Sequence, residues 1–225
     1  MEVLALACGN IRGMIVTRLG HASLLVESPS TRLLIDPGAY SNGWHDLTDL
    51  DGMIVTHQHA DHLDARHLAS TMTANPAARL VVEPQCADVV PGCRPEVAEV
   101  GETIRVGDLT VETVGGSHAL IHERVPRVGN VGYVVSRGDG PRLFHPGDSY
   151  DAVPSGVDVL ALPLTAPWAK VAETVDFANA VNARLILPIH DAIVSDAGRE
   201  IYARMVTNLC GASFEDVPTG HPYSL

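Results

Sequence analysis

Residues 57–64 read His57-Gln58-His59-Ala60-Asp61-His62-Leu63-Asp64, directly after the apolar run Met53-Ile54-Val55-Thr56. Three imidazoles and two carboxylates this close together are costly to desolvate without a cation to bind them. Neutral imidazole and carboxylate are the ligand types of Zn2+, Fe2+ and Mn2+. In an extended segment leaving a strand, side chains alternate with period two, so His57 and His59 point the same way and can reach one ion. Asp61 and His62 sit on the next bend and can reach a second. A histidine-rich surface turn that binds nothing is the bland alternative; it suits one or two histidines better than this octapeptide.

Upstream of the cluster the chain is strand-like. Met14 to Leu19, Ala22 to Glu27 and Arg32 to Ile35 are short β-prone runs separated by Gly20 and by Ser28-Pro29-Ser30, the pattern of an antiparallel meander. Met53 to Thr56 makes a fourth strand. Beyond the cluster, Leu63 to Met72 fits a helix, Arg79 to Val82 a strand and Pro84 to Val89 a short helix. The β pattern returns at 103–106, 109–114, 130–136 and 142–145. The tail then alternates: strand 157–162, helix 172–181, strand 184–189, helix 196–209. Two β-rich halves, each followed by helices, imply two packed sheets with helices outside them and active groups on loops at one end of the strands.

The 225 residues suit a single domain, residues 14–225, after a short N-terminal extension, 1–13. A content of 46% hydrophobic and 19% charged residues is that of a globular chain rather than a disordered one. The formal net charge of −12 repels a phosphate backbone, so the expected partner is a small-molecule substrate and not nucleic acid. Cys8, Cys86, Cys93 and Cys210 are too few and scattered for a disulfide scaffold. The amino end is acidic where a signal peptide is basic, and no run approaches the roughly 20 apolar residues of a membrane span, so the expectation is a cytoplasmic protein without a membrane partner. A homo-oligomer is the base-rate expectation for assembly.

A dinuclear site needs further ligands, and the chain offers them where expected strands end. His118 follows Val114-Gly115-Gly116-Ser117, Asp148 lies in His145-Pro146-Gly147-Asp148-Ser149, and His190 follows Leu187-Pro188-Ile189. Glycine or proline beside each permits the sharp turn that aims a side chain inward.

With these residues the chain resembles the metallo-β-lactamase superfamily of hydrolases, whose signature is His-x-His-x-Asp-His followed by a histidine, an aspartate and a last histidine. The match runs from about Thr17 to about His190. The resemblance implies an α/β (α+β) four-layer αββα sandwich, the metallo-β-lactamase fold. It further implies that His57, His59 and His118 hold one metal, that Asp61, His62 and His190 hold another, and that Asp148 bridges them with water or hydroxide as the other bridge. Leu19-Gly20-His21-Ala22 and Leu34-Ile35-Asp36-Pro37 look like a branch of uncharacterised cytoplasmic hydrolases that includes ascorbate-6-phosphate lactonase. There Asp36 would orient a ligand and His21 would line the pocket.

Other side chains remain open at this level. His122 lies four residues after His118 and competes for the same ligand position; His118 is preferred because it follows the glycine turn. His145 is a candidate catalytic acid or donor to a ligand, with a histidine packed at a strand end as the equal alternative. Trp168, in Pro163-Leu164-Thr165-Ala166-Pro167-Trp168, reads as an indole near the site mouth or as plain packing. His45, His67 and His221 have no partner motif and read as surface or structural.

The expected chemistry is metal-dependent hydrolysis of a small-molecule ester, lactone, amide or phosphoester, with two divalent ions, Zn2+ first and Mn2+ or Fe2+ next. Asp61 would orient the nucleophile or relay its proton as well as ligating. Two rivals stand beside it. One is a redox enzyme on the same fold: a mononuclear iron dioxygenase, or a flavin-linked di-iron reductase, which has glutamate where this chain has His59 and carries a flavodoxin domain for which there is no room. The other is a non-catalytic metal-binding protein, against which the full ligand set argues.

Overall fold

The computed structural model describes residues 13–90 and 92–225. Most of the expected N-terminal extension, with Cys8, lies outside the described residues. In chain order the strands are β1 (Ile15–Gly20), β2 (Ser23–Glu27), β3 (Arg32–Ile35), β4 (Gly52–Val55), β5 (Arg79–Val82), β6 (Glu96–Val97), β7 (Thr103–Val106), β8 (Leu109–Gly115), β9 (Val131–Ser136), β10 (Leu143–His145), β11 (Val159–Pro163), β12 (Leu185–Ile189), β13 (Ser213–Phe214) and β14 (Pro222–Ser224). The helices are α1 (Ala65–Ala74), α2 (Val171–Val181) and α3 (Asp196–Leu209), with a 3-10 turn at Pro84–Asp88.

Two seven-stranded sheets result, ordered β14-β1-β2-β3-β4-β5-β6 and β13-β12-β11-β10-β9-β8-β7. Each is antiparallel at its start and parallel at its end: β1 to β3 form the expected meander, and β4, β5 and β6 then add in parallel. Likewise β7 to β10 are antiparallel, and β11, β12 and β13 add in parallel. Parallel neighbours need crossovers, which α1 supplies between β4 and β5, α2 between β11 and β12 and α3 between β12 and β13, while the other parallel pairs are joined without an α-helix.

Period-two alternation assigns the faces. Leu24 and Val26 point into the core between the sheets, together with Val111, Tyr133 and Val135 from the second sheet. Leu25, between them in sequence, points outward and packs with Leu34, Met53 and Leu68 of α1. On the far side, Val134, Phe144 and Leu160 pack beneath Val175 and Phe177 of α2 and Val206 of α3. Three separate apolar layers between four structural layers make the αββα sandwich. Burying each such side chain contributes on the order of 1.5–3 kcal/mol.

Caps set the helix limits. Asp64 accepts from the Arg66 amide at 3.0 Å, so α1 begins after it rather than at Leu63 as expected. Ser195 caps α3 through the Gly198 amide, and Asn182 ends α2 in the left-handed conformation. Cys86, Cys93 and Cys210 are free thiols. Among the described residues no helix is long and apolar enough to cross a membrane.

Candidate metal centre

The strand ends converge at one rim of the sandwich. The cluster segment leaves β4, His118 follows β8, Asp148 follows β10, and His190 follows β12, while His21 occupies the β1–β2 turn and Asp36 the end of β3. His21, Asp36 and His190 have φ of 45°, 49° and 59°, a left-handed backbone that is uncommon outside glycine and concentrates at functional sites. His21 and His190 hold each other there: the His190 amide donates to the His21 carbonyl at 2.9 Å, and Thr165 Oγ1 donates to the His190 carbonyl at 2.9 Å.

The hydrogen bonds fix which nitrogen faces inward. His62 Nδ1 donates to Asp36 Oδ2 at 2.6 Å, His118 Nδ1 to the Ala119 carbonyl at 2.6 Å and His190 Nδ1 to the Thr165 carbonyl at 2.6 Å. Thr56 Oγ1 donates to Asp36 Oδ2 at 2.8 Å, so it receives His57 Nδ1–H at 3.0 Å. In all four rings Nε2 is left for the interior, the arrangement by which outer partners orient metal-binding histidines. His59 instead brings Nδ1 to 3.1 Å from His57 Nε2.

Two groups form. His57, His59 and His118 have ligand atoms within 4.8 Å of one another, as do Asp61, His62 and His190 with His21. Asp148 lies between them. Its Oδ1 is 3.0 Å from His62 Nε2 and 3.2 Å from His190 Nε2, and its Oδ2 is 3.5 Å from His118 Nε2. These contacts lack hydrogen-bond alignment. His62 Nε2, His118 Nε2, His190 Nε2 and Asp148 Oδ1 are four of the seven buried side-chain atoms without a hydrogen-bond partner among the described residues. Such atoms are normally satisfied, so their convergence fits a cation rather than packing.

Protonation agrees. Burial opposes a charge on His62 and His190, but Asp148 outweighs it for both, with Asp36 assisting at His62; His62 rises well above its ordinary value and His190 is pushed up to about 9. Burial would raise Asp148, yet His62 and His190 hold it well below the usual carboxylate range. The carboxylate of Asp148 thus draws positive charge toward the nitrogens that face the space between the two groups. His57 and His59 are lowered, chiefly by burial, so they are neutral and able to ligate.

The other candidates separate. His21 Nδ1 accepts from the Ala192 amide at 3.3 Å, so the neutral ring carries its proton on Nε2 and donates it to Asp61 Oδ2 at 3.2 Å. It therefore orients Asp61. Trp168 lines the cavity, and its Nε1 donates to Asp148 Oδ2 at 2.9 Å. His122 is exposed, its Nδ1 accepts from the Arg124 amide, and among the described residues it belongs to neither group. His145, a candidate acid in the sequence, is fully buried; its Nε2 donates to the Ala22 carbonyl at 2.8 Å and its Nδ1 accepts from the Gly147 amide. With both nitrogens committed to backbone, it braces the turn before Asp148 and does not reach the cavity.

Sequence reading missed Thr56 and Asn130. The Asn130 side chain donates to the Pro146 carbonyl and accepts from the Asp148 amide at 2.9 Å, which sets the turn that presents Asp148. Its only signal was a polar residue at the start of an apolar strand.

The beta-lactamase superfamily domain model matches residues 15–190, most of the chain and all of the cluster. The chain belongs to the metallo-β-lactamase superfamily. Protein Rv0786c of Mycobacterium tuberculosis is 41% identical over 208 residues, covering 91% of this chain and 97% of that protein. A UPF0173 metal-dependent hydrolase of Pyrococcus furiosus is 28% identical, covering 78% and 83%. Among solved structures, the metallo-β-lactamase fold protein YhfI of Bacillus subtilis superposes with a TM-score of 0.72 at 14% identity, covering 94% of this chain and 99% of that one. The superfamily fold is therefore the one the two sheets and their flanking helices display.

Proposed function

We propose that this metal-dependent hydrolase of the metallo-β-lactamase superfamily holds two divalent cations, zinc first and manganese or iron next, and cleaves a neutral carboxylic ester or lactone bearing an apolar group. His57, His59 and His118 would hold one cation, Asp61, His62 and His190 the other, with Asp148 between them. The observation that carries this reading is the convergence of the unpartnered ring nitrogens and Asp148 Oδ1 on one space. When bound, such a pair lowers the pKa of water toward ~7 and polarises the electrophilic oxygen.

The chain's own residues do the rest. Burial opposes ionisation of Asp61, but contacts from His190 and His21 hold its carboxyl well below the usual range, so it is an anion aimed at the centre. It is placed to accept the proton that water gives up. The cavity over the centre, about 280 Å³, is walled by Tyr40, Ile121, Pro167, Trp168 and Ile193 beside the ligands, with no lysine or arginine among the described residues that line it. Beyond the cations themselves, the charge of a polyanionic phosphoester would meet no lysine or arginine among the described lining residues, whereas an acyl or aryl group would be wetted by the walls. A larger groove of about 730 Å³ lies behind Trp168, but no ligand candidate lines it.

Zinc- and manganese-loaded protein tested on matched acyl esters, lactones and phosphodiesters should turn over the first two faster. Preference for phosphodiesters would overturn the substrate class, and no turnover of any would favour a non-catalytic metal-binding role.

A further inference from the structure

His45 and His67 are distant from the metal centre in function by sequence, yet the fold stacks their rings at 4.3 Å with 19° between the planes. Beside them, Asp64 is 4% exposed, and its Oδ2 accepts from His67 Nδ1 at 2.6 Å. One ligand atom from each of the three lies within 4.8 Å of the others, as in the two groups of the main centre. Capping accounts for Asp64 Oδ1, which takes the Arg66 amide. Nothing among the described residues accounts for His45 Nε2, a buried nitrogen with no hydrogen-bond partner there. It shares that condition with three ring nitrogens and Asp148 Oδ1 of the main centre, and the only other such atoms among the described residues belong to Arg18 and Arg142, whose remaining guanidinium nitrogens are bonded.

We propose that His45, Asp64 and His67 form a further divalent-cation site, separate from the main centre, that fastens the loop between β3 and β4 to the first turn of α1. Two imidazoles and one carboxylate are a zinc-type ligand set, with water completing the coordination because His67 is exposed. The loop is already anchored from within: Trp44 is fully buried, donates to the Gly38 carbonyl at 3.1 Å and packs edge-on against His45 at 4.5 Å. The same loop carries Tyr40 to the cavity over the main centre. A cation at this point ties the position of that wall to α1, and so has a stabilising rather than a catalytic role.

The site is tested by equilibrium dialysis of the chelator-stripped full chain against micromolar zinc, followed by elemental analysis. His67→Gln and His45→Gln should each bind one equivalent fewer than the wild type. This difference is independent of how many cations the main centre holds, so failure of the dinuclear reading would leave it intact. Zinc should also raise the thermal midpoint of the wild type by more than that of either variant. Should a variant misfold, the His45 and His67 ring nitrogens of the wild type give a second readout, since zinc should shift their NMR resonances. Equal stoichiometry in wild type and variants, or ring resonances indifferent to zinc, would overturn the proposal.

Discussion

The indole nitrogen of Trp168 donates to Asp148 Oδ2 at 2.9 Å, which leaves Oδ1 facing His62 and His190. An apolar wall residue thus fixes the rotation of the central carboxylate. Trp168→Phe keeps the wall and removes the donor. A hydrogen bond to a charged group contributes about 1.5–3 kcal/mol, so turnover should fall by roughly 10–100-fold while metal content stays that of the wild type. Steady-state kinetics beside elemental analysis reads both. Unchanged turnover would make Trp168 packing alone.

Asp36 receives the Thr56 amide at 2.8 Å, Thr56 Oγ1 at 2.8 Å and His62 Nδ1 at 2.6 Å. Asp36→Asn suits the left-handed backbone, since asparagine tolerates it, but cannot accept all three donors. Affinity at the His62 site should drop by about 10–100-fold, the scale for losing an outer partner of a metal ligand. Competition with a chromophoric chelator measures it.

Gly38 lies against the cluster segment so closely that a Cβ there would stand 1.7 Å from the Asp61 carbonyl oxygen. Backbone on both sides leaves no flexible group to yield. Gly38→Ala should therefore destabilise by about 3 kcal/mol or more. Gly211→Ala, where a Cβ meets nothing within 4 Å, is the matched control and should move the thermal midpoint little.

Asp108 is a source of acid sensitivity away from the metal centre. Burial would raise the Asp108 carboxyl, but Ser28, Thr31 Oγ1 at 2.7 Å and Arg137 Nε at 2.5 Å outweigh it and hold it below its ordinary value. A depressed folded pKa contributes stability that is full above the unfolded value of about 3.9 and is lost as pH falls through the folded one. In denaturant titrations, the wild type should exceed Asp108→Asn by a constant margin at neutral pH, and the gap should begin to narrow as pH falls below about 4. A gap constant with pH would contradict this.

Much of this arrangement was legible in the chain. Short β-prone runs such as Ala22 to Glu27 and the helical spacing from Leu63 to Met72 were readable, and two β-rich halves each followed by helices implied the layers. Which face each of Leu24, Leu25 and Val26 takes was not legible, because all three are apolar. The strands Glu96–Val97, Ser213–Phe214 and Pro222–Ser224 were not read, since two or three residues carry no period. His57 to His62 announced themselves by type and spacing. The partners that orient them did not: three of the four Nδ1 protons end on Thr56 or on backbone carbonyls, which any sequence supplies. His145 has the residue type of a catalytic acid, and only its two backbone hydrogen bonds show it to be a brace. His45 and His67 meet only through the loop that Trp44 anchors, a tertiary contact without a local signal.

The central claim is that the converging nitrogens and Asp148 hold a pair of cations. Anomalous difference density at the zinc edge, from crystals of zinc-reconstituted wild type, tests it most directly. Two peaks roughly 3.5–4 Å apart are expected, one among His57, His59 and His118 and one among Asp61, His62 and His190, with Asp148 contacting both. A single peak, or none, among these seven residues would contradict the dinuclear centre.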